Sequence, residues 1–161
     1  LGVALFAFDP KQTFTEYVKA RRGDGMELRS AVWDRVMEFA SLLASEDKPE
    51  RYWANYNALK EYCEAQSFDG YDHPFLWESL ADFTIDDSAA IPLYLRALSK
   101  AAGDEARAFR VSIRFALAER HRNIGDNELA REYAIAADEE AKDIDDLELR
   151  RRISKFLLCR E

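Results

Sequence analysis

The amino-acid sequence predicts an all-α protein, an array of αα-hairpins with about eight helices and no strand. Three observations carry this. Glycine and proline are scarce, 6 and 4 in 161 residues, too few for the many turns of a β-sandwich. Apolar residues recur at steps of three and four, as in Leu28, Ala31, Val32, Val36, Phe39, Ala40 and Leu43, which is helical rather than strand periodicity. Finally, Glu105 to Lys142 reads as one helix, a tight turn at Asn123-Ile124-Gly125-Asp126 and a second helix. The first of these is apolar on several sides (Phe109, Val111, Ile113, Phe115, Leu117), so it packs on more than one side. Gly125 accepts the left-handed φ that ends it, and Asp126 is placed to cap the next helix. Ala130, Ala134 and Ala137 then line one side of that second helix, where small side chains let two antiparallel helices approach closely.

Taken from the start, residues 1–9 read as an N-terminal extension or cloning remnant, too short to span a membrane. Asp9-Pro10 opens a first helix that runs to Arg21-Arg22, with proline favourable at its first position. Glu27 to Ser45 is the second helix and Pro49 to Gln66 the third, with Trp53, Tyr56, Leu59 and Cys63 on one side. Residues 10–66 form an N-terminal helical part. The segment Ser67 to Pro74 separates it from residues 74–161, and the aromatic character of that segment argues for one continuous domain rather than a flexible linker. Pro74 to Phe83 is a short helix. Asp87-Ser88 caps the next, where Pro92 is tolerable only in a first turn. After the central hairpin, Asp143 to Asp146 caps a last helix whose Leu149, Ile153, Phe156 and Leu157 form a stripe that would cover the end of the array.

Leu117-Ala118, Gly125-Asp126, Ala130 and Ala137 fall at spacings that resemble the tetratricopeptide repeat, and Trp77, Leu80, Ala81, Ala90 and Ala97 resemble a looser copy before it. The copies lie about 40 residues apart, where the family period is about 34, and the first copy turns at Ile85-Asp86-Asp87 without glycine. The resemblance covers about half of the chain, and a generic helical bundle is the alternative. It implies a superhelix whose concave surface takes a peptide, helix or protein. In the better copy it implies that Ser112, Phe115, Glu119, Arg122 and Asn123 face that surface.

The formal net charge of −8 makes a nucleic-acid backbone an unsuitable partner and favours a basic protein. From Glu61 to Leu95 there is no Lys or Arg, but there are Glu61, Glu64, Asp69, Asp72, Glu78, Asp82, Asp86 and Asp87, interleaved with aromatics that include Trp77. An acidic surface carrying Asp69, Asp72, Trp77, Asp82, Asp86 and Asp87 would suit a basic partner, as in an immunity-type protein that neutralises its target. The competing reading puts the rings in the core and leaves the acids as solvated caps.

Little points to chemistry. His73 and His121 lie in different elements, and no metal-ligand spacing, phosphate loop or nucleophile elbow occurs. The aspartates at 143, 145 and 146 read as caps rather than a cation loop, Cys63 and Cys159 as free thiols, and His121 as a hydrogen-bonded structural residue. Arg107, Arg110 and Arg114 share a helix side, where Asp138, Glu139 and Glu140 on the neighbouring helix can neutralise them. The expectation is a non-enzymatic, cytoplasmic interaction module without cofactor or metal, acting on a protein or peptide and not on nucleic acid or membrane. A structural or homo-oligomerising segment is the rival. A ligand site in the helical core would require His121, Arg114 and a carboxylate to converge on a deep pocket.

Overall fold

A computed structural model describes residues 27–159. Among these there are seven α-helices and no strand: α1 (Ser30–Ser45), α2 (Pro49–Phe68), α3 (Pro74–Asp82), α4 (Asp87–Lys100), α5 (Arg107–Asn123), α6 (Asn127–Ala141) and α7 (Leu147–Leu158). The extension at 1–9 and the helix expected from Pro10 to Arg22 lie outside the described residues.

Local chemistry accounts for most boundaries. Gly125 has φ 84°, the left-handed conformation that closes α5, and the Asp126 carboxylate accepts the Leu129 N–H at 3.2 Å to start α6. Asp146 does the same for α7 through Leu149 N–H at 2.9 Å. Several expectations shift: α1 starts at Ser30 rather than Glu27, and α2 runs on through Ser67 and Phe68, which were expected in the segment after it. The cap of α4 is Asp86, which accepts from Ala89 N–H at 2.8 Å, one residue earlier than the Asp87-Ser88 expected. Pro92 lies inside α4 rather than in its first turn. The Ser88 carbonyl that loses its donor belongs to an exposed residue, so water can take the missing partner's place. Asp104–Ala106 forms a 3₁₀ turn ahead of α5.

Each helix packs mainly on its neighbour in the chain, and the α5–α6 pairing is the most extensive. Ala130, Ala134, Ala137 and Ala141 are all buried in that seam, as small residues at steps of three and four require. At the centre lies α3, a nine-residue helix of which every residue is buried. Phe75 stacks on Trp33 of α1 at 5.4 Å. From α2, the Tyr52 hydroxyl donates to the Phe83 carbonyl at 2.6 Å, and the Tyr56 hydroxyl bonds Thr84 Oγ1 at 2.7 Å. Tyr94 of α4 and Ser112 of α5 donate to Asp82 and Glu78 respectively. One apolar cluster joins α1 to α5, and a second joins α5 and α6 to α7.

Candidate functional site

The acidic surface expected between Glu61 and Leu95 is divided by the fold: Glu61, Glu64, Asp69 and Asp86 stay exposed, Asp72 and Asp87 are half-buried, and Glu78 and Asp82 are buried. Asp82 and Trp77, expected to face a partner, are buried with relative exposures of 0% and 1%. The reason is the position of α3, enclosed by four helices, which turns its acids and its indole inward together. Asp82 accepts the Tyr94 hydroxyl at 2.5 Å. Burial pushes the Tyr94 phenol well up, and the neighbouring Asp82 charge adds to this. Trp77 lies under the Arg96 guanidinium at 3.4 Å and donates its indole N–H to Asp72 at 2.6 Å. Asp72 also meets Lys100 at 2.8 Å. Its partial burial opposes charge, but hydrogen bonds from Lys100, Trp77 and Ser67 outweigh this and hold its carboxyl below the usual range. Asp87 accepts from Arg120 at 2.8 Å and Asp86 caps α4, whereas Asp69 stays exposed at the end of α2.

The five residues expected on a concave surface are likewise turned to the protein's own elements. Ser112 is buried and donates to Glu78. Phe115 is buried at 3% exposure because α7, with a stripe to bury, lies across it. The Phe156 ring meets Phe115 edge-on at 5.6 Å. Glu119 pairs with Arg152 of α7 at 3.4 Å; burial lifts its carboxyl pKa, and the arginine only partly offsets the shift. Arg122 lies 3.8 Å above the Phe156 ring, and Asn123 donates to Asp87 at 3.3 Å. Both keep exposed surface.

The remaining chemical candidates separate. Arg110 and Arg114 both grip Glu140, in agreement with internal neutralisation, and Arg107 reaches Asp104 and Asp143. His121 is buried in the α5–α6 seam, stacked on Tyr133 at 5.4 Å with Nδ1 3.6 Å from Asp126. The contact is packing plus a long polar approach rather than the hydrogen bond expected, and Arg114 is engaged elsewhere. Cys63 is buried, donates its thiol to the Leu76 carbonyl at 3.4 Å, and is pushed up to about 12 by burial, whereas Cys159 is exposed. His73 serves as the N-cap of α3, its Nδ1 accepting from Phe75 N–H at 3.1 Å.

What the structure does open is a groove of about 190 Å³ where the end of α5, the start of α6 and the end of α7 meet. Ala130, Phe156 and Leu157 line it with apolar surface, Asn127 and Cys159 complete the lining, and the exposed Arg122 and Arg131 edge it, Arg122 reaching over the Phe156 ring. Of the eleven residues expected at a partner site, only Arg122 lines it. Arg131 was not among the expected residues because on α6 alone it is one more exposed charge; it lines a groove only because α7 packs beside it. Among the described residues no helix is long and apolar enough to cross a membrane. Comparison with family models, curated proteins and solved structures gave no match. What stands is the class: an all-α protein built of consecutively packed helices.

Proposed function

We propose that the chain is a non-enzymatic protein–protein interaction module, a tetratricopeptide-like array that holds its partner at the groove between α5, α6 and α7. The observation that carries this reading is the groove itself, apolar surface edged by two exposed arginines, Arg122 and Arg131. A cleft of that make-up suits an apolar anchor flanked by carboxylates, with the arginines supplying orientation. The consecutive packing of the helices and the small-residue seam of α5 and α6 support the repeat-like reading.

A second surface supports a narrower form of the basic-partner reading. On α2, Glu61, Glu64 and Phe68 share a helical face, all exposed, and Asp69 follows them. The test is capture with the tagged chain at low and moderate salt, repeated with Arg122→Glu/Arg131→Glu and with Glu61→Lys/Glu64→Lys/Asp69→Lys. A partner lost only with the first variant assigns the groove, and one lost only with the second assigns the acidic stripe and a basic partner. A partner held equally by both variants rejects both surfaces.

A further inference from the structure

We propose that the groove receives the α2 end of a second copy of this chain, joining molecules head to tail. The inference rests on the interaction-module reading and names its partner.

The groove calls for an apolar side chain with carboxylates beside it, because apolar surface lines it and two arginines edge it. The chain displays such a group. Phe68 is 92% exposed, the most exposed of its large apolar side chains among the described residues. Asp69 follows it, and Glu64 and Glu61 precede it on the same face of α2. Leu147, also exposed among acids, is the weaker candidate, since Asp146 is occupied as the cap of α7 and Glu148 pairs with Arg151 at 3.2 Å, closer than the 4.0 Å between Glu64 and Lys60 on α2.

Phe68 cannot fill the groove of its own molecule. Its end of α2 is tied to the C-terminal end of α4, where Arg96 donates to Ser67 at 3.2 Å and Lys100 meets Asp72. α5 runs antiparallel to α4: Arg110 near its start bonds the Ala101 carbonyl, and Arg120 near its end bonds Asp87, the first residue of α4. The groove lies at the far end of α5, whose 17 residues span roughly 25 Å. The two surfaces therefore lie at opposite ends of the α4–α5 pair, and joining them between copies is a heterologous contact, which leaves one acidic end and one groove open on each assembly that does not close into a ring.

Sedimentation of the intact protein over a range of concentrations tests this. The expected average mass exceeds the 18.6 kDa of one chain, grows with concentration and falls at high salt. Phe68→Glu and Arg122→Glu/Arg131→Glu should each sediment as single chains. Mixed in equal amounts they should form a species of about twofold mass and no larger, because each retains one intact face. That pairing also shows that both variants are folded. A wild-type mass that stays at one chain overturns the proposal, as does self-association that survives both variants or a mixture that fails to pair. A single-chain wild type that still loses a captured acidic partner with Arg122→Glu/Arg131→Glu rejects the second copy alone and leaves the groove reading standing.

Discussion

Tyr94 and Asp82 meet at 2.5 Å in a place closed to water, and that seclusion decides what each can do. Tyr94→Phe removes a donor and leaves the buried carboxylate short of one hydrogen bond. A loss of about 1–3 kcal/mol in urea unfolding is expected. Asp72 carries a pH prediction. Its folded pKa lies below the ordinary 3.8, so its contribution to stability is present above the unfolded value and lost as pH falls through the folded one. Asp72→Asn should therefore destabilise at neutral pH, and the difference from wild type should shrink in acid, as read by unfolding at a series of pH values. The two thiols should also separate. Cys63, held up at about 12 and buried, should resist iodoacetamide in the folded protein, while exposed Cys159 is alkylated. Equal labelling of both cysteines in the native state would contradict the packing of α2 on α3.

The α5–α6 hairpin is where single changes should act most simply. Gly125 holds a positive φ with open space around its Cα, so Gly125→Ala should cost about 1–2 kcal/mol through backbone strain and not through a clash. Ala137, fully buried in the cluster that holds Val111 and Phe115, sits instead in the packed α5–α6 seam. Ala137→Leu should cost about 1–3 kcal/mol by forcing the helices apart. Thermal melting of the two variants beside wild type checks both values. Glu140 neutralises the arginine side of α5 from within the fold. One carboxylate serves Arg110 and Arg114, and Arg110 also closes the end of α4 through the Ala101 and Gly103 carbonyls.

Across the fold, α5 is the shared wall. Phe109, Ile113 and Leu117 join the cluster that reaches α1, while Val111 and Phe115 join the one that reaches α7. The second cluster is smaller, and α7 is held by Leu149, Ile153, the Phe156–Phe115 contact and the Arg152–Glu119 pair. Amide exchange of α7 should therefore proceed through local opening well before that of α3, which is buried along its whole length. Ile153→Ala should cost about 2–5 kcal/mol and accelerate exchange in α7 first. Uniform exchange across both helices would mean that α7 unfolds only together with the rest.

Features set by a few neighbouring residues were legible in the sequence. Caps at Asp126 and Asp146, the turn at Gly125, the alanine seam and the helical class all depend on interactions within one or two turns, so local pattern suffices. The exposure of the candidate site residues was far less legible. Asp82 and an exposed acid look alike in a sequence; only the enclosure of α3 by α1, α2, α4 and α5 makes Asp82 a buried acceptor. The repeat resemblance places Phe115 and Arg122 on an open concave surface; α7 packs there instead, burying Phe115 and leaving Arg122 exposed over the Phe156 ring. Arg131 gained its place by the same event in reverse, becoming the edge of a groove that needs three helix ends to exist. Secondary structure follows from short-range periodicity. The solvent exposure of a charge depends on which distant segment packs beside it, and that was decided only by tertiary packing.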